Sequence, residues 1–232
     1  MAVKTKEELQ EYLKNEHVQW IVYNIYKYES DKTESGGVNL GGFNQNAGDS
    51  SAFGAGQFIG KTRNTILKQY GVDAWSDNIE EQELAILALI DSEKGRHGGL
   101  ETISTGDVKT FADKSNQWQA FYPSSHKNAI SNTKHGALIG ERPTDWQNKF
   151  VSIRDTAVYE PQYSWNKINP KVQKKKIELY NRSYSDSIPD SLNIAVPQIL
   201  AKKKPKTTQP SISATEGLDM EPIATVGDQT QT

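Results

Sequence analysis

The chain has 232 residues, a formal net charge of −2 and a pI near 6.1. This balance gives no global attraction to nucleic acid or to an anionic membrane, and we expect neither as a partner. The absence of cysteine excludes disulfides, thiolate zinc sites and cysteine nucleophiles.

The first predicted element is one amphipathic helix over residues 7–28. Its apolar residues recur at spacings of three, four and seven. Residues 1–8 are polar where a signal peptide is apolar, and no later stretch approaches the ~18 apolar residues of a membrane span. We therefore expect neither a signal peptide nor a membrane span.

A Gly-, Ser- and Asn-rich segment follows over residues 31–56. This composition is typical of a long connection or of a pair of short strands. A connection this long inside a compact domain is usually functional or disordered.

Three further helices are predicted. The first spans residues 62–70 and is closed by Gly71, and the second begins at a capping box of Asp77 and Glu80. Its apolar run at 84–90 is typical of a central buried helix. The third begins near Asp107, continues through Trp118 and ends before Tyr122-Pro123. The predicted fold class is mainly α.

The remaining chain divides the molecule into three parts. We expect a compact domain over 1–140, then an irregular accessory segment over 141–200 with a short basic helix from Asn169-Pro170. Residues 201–232 contain almost no large apolar side chains, which is typical of a flexible tail.

Glu29 is the first candidate for chemistry. It follows Ile25 by four positions and Ile21 by eight, so its carboxylate shares the apolar face of the helix. Partial desolvation there raises a carboxyl pKa and favours a general acid. The alternative is that the helix has frayed and Glu29 is an ordinary surface residue.

Tyr28-Glu29-Ser30 ends the first predicted helix, and the segment SAFGAGQFIGKT at 51–62 carries a Gly-x-x-Gln turn. In these two motifs the sequence around Glu29 resembles the goose-type lysozyme and lytic transglycosylase superfamily. More narrowly, the chain is similar to the lambda-type phage lysozymes over roughly residues 15–125. That similarity includes the Gly-Ala-Gly turn, the buried helix beginning Gln82-Glu83, and Ser115-Asn116-x-Trp118 followed by Pro123.

The resemblance implies an α+β lysozyme-like fold and cleavage of the bond between N-acetylmuramic acid and N-acetylglucosamine. The glutamate acts first as acid and then as base while a sugar hydroxyl closes a 1,6-anhydro ring, so no cofactor is implied. A hydrolase needs a second carboxylate, for which Asp31, Glu34 and Asp49 are the candidates. Glu34, in Glu34-Ser35-Gly36-Gly37, is also the second choice for the acid, because it has only loop behind it.

Several residues are candidates for substrate binding: Ser30, Gly54, Gly56, Gln57, Phe58 and Tyr122. The glycines let backbone approach a sugar, and Gln57 and the Phe58 backbone offer hydrogen bonds to N-acetyl groups. The alternative is a glycine turn that only starts the next helix. We expect Trp118 in the core and Tyr122 in the cleft. The four histidines lack metal-site spacing, so we expect no metal.

The sequence thus predicts a phage-type peptidoglycan-degrading enzyme, most simply a lytic transglycosylase. The long C-terminal extension suggests a virion component of the tail or interior that contacts other virion proteins; release from the host cytoplasm to the cell wall is the alternative. Two other functions remain open: a structural or assembly protein on a lysozyme-like scaffold, and a hydrolytic lysozyme.

Overall fold

The computed structural model describes residues 2–33, 35–43, 52–129, 132–161, 174, 175 and 178. Within them the chain is mainly helical, as predicted, with nine α-helices and one 3-10 turn at Gln119–Phe121. The predicted tail, most of the basic helix, Glu34 and Asp49 lie outside the described residues. In chain order the α-helices are α1 (Lys6–Leu13), α2 (Glu16–Tyr28), α3 (Gly60–Tyr70), α4 (Ile79–Ser92), α5 (Lys94–His97), α6 (Gly99–Ser104), α7 (Val108–Lys114), α8 (Asn132–Ile139) and α9 (Trp146–Asp155).

The prediction of a single helix over residues 7–28 is wrong, because the helix is interrupted between α1 and α2. Asn15 has an extended backbone, and its side-chain oxygen accepts hydrogen bonds from the backbone N–H groups of His17 and Val18 at 2.9 and 3.3 Å. Asparagine competes with the helix for backbone groups in this way and is a strong N-cap. The apolar stripe nevertheless continues across the break, with Leu9 and Ile21 both buried.

Helix α4 forms the centre of the fold, as predicted, and contacts α1, α3 and α6. It is buried continuously from Gln82 to Asp91. The predicted capping box is wrong by one residue: Asn78, not Asp77, caps the helix by accepting from the N–H of Glu80 at 2.8 Å. The predicted stop of α3 is confirmed, since Gly71 adopts a left-handed φ of +68°.

Helix α7 begins where predicted, because Asp107 accepts from the N–H of Thr110 at 2.9 Å. It does not extend to Trp118. Ser115 is already extended (ψ 143°), and the 3-10 turn then begins after Trp118. The apolar residues whose i, i+3 and i, i+4 spacing suggested one longer helix belong to two successive elements, α7 and the segment of the 3-10 turn.

The Gly-rich region contains isolated β-bridges in its described parts rather than strands. Lys32 pairs with Val38, Phe43 with Phe53, and Phe53 with Phe58, all antiparallel. The Phe53 ring packs edge-on against Trp75, with ring centroids 5.4 Å apart. The region is therefore anchored to the core at its apolar residues.

The segment after residue 140 contains α9, which the sequence analysis did not predict. Trp146 packs edge-on against Trp20 of α2, with ring centroids 5.3 Å apart. Arg154 pairs with Glu83 of α4 at 2.9 Å, and Val158 forms a parallel bridge with Asn39. Residues 141–161 therefore pack on α2, α4 and the Gly-rich region; the division into three parts stays a prediction. None of the helices in the described part of the chain is long and apolar enough to cross a membrane.

Candidate active site

Glu29 caps the C-terminus of α2, where its own N–H still bonds to the carbonyl of Ile25 at 2.9 Å. The helix has not frayed before this point, so the position of the side chain is fixed by the helix. The carboxyl group is partly buried, and its Oε1 accepts a hydrogen bond from the backbone N–H of Ala120 at 2.8 Å. Among the described residues no cation lies within the 4.0 Å that defines an ion pair with it.

Burial is the main influence on this carboxyl group and raises the pKa of Glu29 above its usual value of 4.5. The Ala120 hydrogen bond and the positive charge of Lys134 oppose the shift without cancelling it. A partly desolvated carboxyl without a paired cation holds its proton to higher pH, which a general acid requires.

The Ala120 N–H is presented by the 3-10 turn at Gln119–Phe121. Ala120 and Phe121 are buried, and the turn is held from both sides. The Trp118 indole donates to the carbonyl of Gly56 at 3.0 Å, and the imidazole of His135 bonds to the carbonyl of Phe121 at 2.6 Å. The donor is therefore preorganised rather than offered by a loose loop.

Ser30 joins the end of α2 to the Gly-Ala-Gly turn, because its hydroxyl donates to the carbonyl of Ala55. Gln82 of α4 supports the same turn from below: its side-chain oxygen accepts from the N–H of Ala55 at 2.5 Å, and its amide nitrogen donates to the carbonyl of Leu40 at 2.9 Å. These hydrogen bonds join the end of α2 at Glu29-Ser30 to the glycine turn.

Packing inside the protein explains both glycines of this turn. Gly54 has φ +82°, and a Cβ there would lie 2.7 Å from the Gln82 Oε1 and 2.8 Å from the carbonyl oxygen of Ala74. A Cβ on Gly56 would lie 2.4 Å from a ring carbon of Phe58. Neither glycine needs a sugar to account for it, which favours the structural alternative for this motif.

Gln57 adopts a left-handed φ of +52°, which is unusual for a residue with a side chain. Its amide nitrogen donates to the carbonyl oxygens of Gly54 at 2.7 Å and Gly42 at 3.2 Å. Its buried Oε1 has no hydrogen-bond partner among the described residues. The amide donor is therefore used to join two glycine turns.

Phe58 does not fit its predicted contact with an N-acetyl group. Its N–H donates to the carbonyl of Phe53 at 3.0 Å, while its own carbonyl accepts from the N–H of Phe53 at 3.1 Å and from the Trp75 indole at 3.0 Å. A carbonyl oxygen has two lone pairs, so both backbone groups are saturated internally. We correct the assignment: Phe58 supports the turn.

Tyr122 lies close enough to Glu29 for the two groups to interact electrostatically, and its place in a substrate cleft stays a prediction. It is partly exposed, and burial followed by the negative charge of Glu29 raises the pKa of its phenol. Its hydroxyl donates to the carbonyl of Asn116 at 2.5 Å, and its ring lies 4.0 Å from the imidazole of His126. Trp118 is 4% exposed and belongs to the core, as predicted.

Asp31 is the one candidate for a second carboxylate that lies in the described ranges. It lies at the start of the Gly-rich region, where a Cβ on Gly42 would lie 2.6 Å from the Asp31 Cβ. In the same ranges no three His, Asp or Glu side chains form a group that would hold a metal ion.

A pocket of about 610 Å³ opens elsewhere on the surface, lined in part by Lys94, Arg96 and Lys114. It contains none of the predicted site residues. Lys94 is paired with Asp91 at 3.3 Å and Arg96 with Glu93 at 3.1 Å, so two of its three cations are already neutralised. The candidate active site is therefore defined by the geometry around Glu29 and not by this pocket.

Three contributors to the site were not predicted: Ala120, Lys134 and His135. Ala120 acts through its backbone N–H, for which an alanine side chain gives no sequence signal. Lys134 and His135 lie more than 100 residues from Glu29 in sequence and reach the site only because α8 contacts α2 and the 3-10 turn. No protein-family model matches the chain, and neither a curated protein nor a solved structure is significantly similar to it.

Proposed function

We propose that the chain is a lysozyme-like enzyme that cleaves the glycan strands of bacterial peptidoglycan as a lytic transglycosylase, with Glu29 as acid and then base. The observation that carries the proposal is the environment of Glu29. The carboxyl group is fixed at a helix end, partly buried, raised in pKa by that burial, and bonded by a backbone N–H rather than by a cation.

The hydrogen bond from Ala120 also orients the carboxyl group. It occupies Oε1 as an acceptor, so the acidic proton is placed on Oε2. From there the proton passes to the oxygen that links N-acetylmuramic acid to N-acetylglucosamine, and the bond from that oxygen to C1 breaks. The hydrogen bond from Ala120 is stronger to the resulting carboxylate than to the protonated acid, since hydrogen bonds to charged groups are the stronger ones.

The same carboxylate then acts as base. It takes the proton of the C6 hydroxyl of the muramic acid as that oxygen attacks C1, which closes the 1,6-anhydro ring and returns Glu29 to its acid form. If water takes the place of the C6 hydroxyl, the products are hydrated and the enzyme is a lysozyme.

Tyr122 supplies a partly exposed aromatic face beside Glu29, which suits stacking against a sugar ring. A rigid wall lies behind Glu29 at the end of α2, and it consists of Ser30, Gly54, Gly56, Gln57 and Gln82. Residence in a virion, with the C-terminal extension contacting other virion proteins, remains part of the proposal and rests on the sequence.

The test is digestion of purified peptidoglycan by the wild type, Glu29→Gln and Glu34→Gln, with the products weighed by mass spectrometry. We expect anhydro products from the wild type and from Glu34→Gln, and a loss of about 10²- to 10⁴-fold with Glu29→Gln. Hydrated products would contradict the transglycosylase reaction and show that the enzyme is a hydrolytic glycosidase. If a folded wild type releases no product, the proposed enzymatic function is wrong and the structural or assembly protein is favoured.

A further inference from the structure

His135 lies between two hydrogen-bond acceptors. Its Nδ1 is 2.6 Å from the carbonyl oxygen of Phe121, and its Nε2 is 3.1 Å from Oδ1 of Asp113. A neutral imidazole has one N–H donor, whereas the imidazolium has two. One N–H on Nδ1 is enough for the bond to the Phe121 carbonyl, and a second N–H on Nε2 completes the bond to Asp113.

The carbonyl that His135 binds belongs to the residue after Ala120. Phe121 and Ala120 are successive residues of one 3-10 turn, and both are buried. A hydrogen bond that fixes the Phe121 carbonyl restrains the backbone of this short turn. His135 thus binds the residue that follows Ala120, whose backbone N–H bonds to Glu29.

We propose that His135 is a positioning residue of the active site, holding the Gln119–Phe121 turn through its Nδ1 so that the Ala120 N–H stays on the Glu29 carboxyl group. Asp113 of α7 holds the other ring nitrogen of His135 in turn. The inference rests on the proposed function of Glu29, because the turn matters to chemistry only if that glutamate is the acid.

The titratable groups that face His135 come from α8 and from the elements packed against it. Helix α8 packs against α7, α2 and the 3-10 turn, which has no titratable residue. Asp113 lies within hydrogen-bond distance of the His135 Nε2 and also accepts from Lys109, so one carboxylate contacts two side chains. The other charged or titratable groups on the adjoining parts of these elements are Lys114 of α7, Lys134 of α8, and Lys27, Tyr28 and Glu29 at the end of α2.

Two substitutions separate the two bonds of His135. Asparagine places its amide nitrogen near the position of Nδ1 and keeps a donor for Phe121, whereas glutamine places it near Nε2 and keeps a donor for Asp113. Both replace the imidazole by a neutral amide. A difference between His135→Asn and His135→Gln therefore reports the Phe121 bond and not the charge.

The measurement is the titration of the Glu29 carboxyl carbon by NMR in the full chain, with the signal assigned by its loss in Glu29→Gln. Because the Ala120 bond lowers the pKa of Glu29, we expect His135→Gln to raise that pKa by about one unit, and the alkaline limb of peptidoglycan release with it. His135→Asn should stay within about 0.3 units of the wild type, well inside that shift.

Asp113→Asn is the second test and keeps the fold close to that of the wild type. Its amide donates to a neutral His135, which still donates to Phe121, so Glu29 should titrate as in the wild type. Any other pattern, including His135→Asn and His135→Gln titrating alike, overturns the positioning role. The titration needs no activity. If it behaves as expected while peptidoglycan is not released, the proposed function fails and the positioning of Ala120 stands.

Discussion

The indole Nε1 of Trp118 donates a hydrogen bond to the carbonyl oxygen of Gly56 at 3.0 Å. This bond joins two parts of the site that are 62 residues apart in sequence. On one side is the turn tied to Ser30, and on the other is the turn that presents Ala120 to Glu29. One side chain therefore links the two turns across the site.

Trp118→Phe keeps most of the buried surface and removes this hydrogen bond. The Gly56 carbonyl then loses a partner inside the protein, so we expect the free energy of unfolding to fall by about 1–3 kcal/mol and peptidoglycan release to fall with it. Urea denaturation and the digestion assay measure the two effects. The control is Trp146→Phe, which changes an indole in the contact between α2 and α9; it should lower stability without a specific loss of activity in the folded protein.

Gly54→Ala tests the close packing of the glycine turn. The new methyl group meets the Gln82 side chain and the Ala74 carbonyl, and the residue must keep φ +82°. Gly71→Ala is a matched control, because it also keeps a left-handed φ but has nothing within 4 Å of the new Cβ.

We expect Gly71→Ala to cost about 1 kcal/mol of stability for the backbone alone. Gly54→Ala should cost about 2 kcal/mol more, because of the steric overlap, and should reduce activity. Equal losses in the two variants, measured by urea denaturation, would show that the Gln82 side chain moves away from the new methyl group at little energetic cost.

Glu29→Gln should change the pH dependence of stability. The pKa of Glu29 is higher in the folded protein than the usual 4.5, so the unfolded chain releases this proton at lower pH. Ionisation of Glu29 therefore lowers stability as pH rises from about 4.5 through the folded pKa. We expect Glu29→Gln to be more stable than the wild type at pH 7, by about 1.4 kcal/mol for each unit of pKa difference.

That advantage should vanish at pH values below the unfolded pKa, where both states keep the proton. Thermal unfolding across the pH range measures it. Glu11→Gln changes an exposed glutamate on α1 and is the control, with an expected effect of under about 1 kcal/mol at any pH. A Glu29→Gln protein less stable than the wild type at pH 7 would contradict a carboxylate destabilised by burial.

The pair of Glu83 and Arg154 gives a prediction about stability. Glu83 is fully buried in α4 and also accepts from the hydroxyl of Tyr26 at 2.8 Å, while the Arg154 side chain is 36% exposed. Arg154→Met leaves a buried carboxylate without its cation and should cost about 3 kcal/mol, the lower end for a broken buried pair. The double variant with Glu83→Gln should recover part of the loss in urea denaturation. Additive losses would mean that the two charges do not interact.

The sequence predicted those features that depend on neighbouring residues. Asp107 as an N-cap, Gly71 as a helix stop and Glu29 at the end of an apolar stripe all follow from local backbone chemistry. The break at Asn15 is also local in its cause, but the uninterrupted apolar periodicity hid it. The 84–90 run predicted the buried helix correctly, because a helix that is apolar on every side has no other stable place.

The support of the site depends on contacts between distant parts of the chain and could not be predicted. The donor to Glu29 is a backbone group of Ala120, and the residue that holds its turn, His135, comes from another helix. Helix α9 was missed for a related reason: its aromatic residues looked scattered until α2 and α4 supplied the surface on which Trp146 and Phe150 pack.

The contact between Arg154 and Glu83 also has a consequence for the order in which the protein is made. A ribosome releases the chain from its N-terminus, so α4 emerges with Glu83 about 70 residues before its cation is synthesised. Until then, burial of the Glu83 carboxylate in the apolar interior is not compensated by its cation. We therefore expect a nascent chain arrested before residue 154 to be less stable and more sensitive to protease than the full chain.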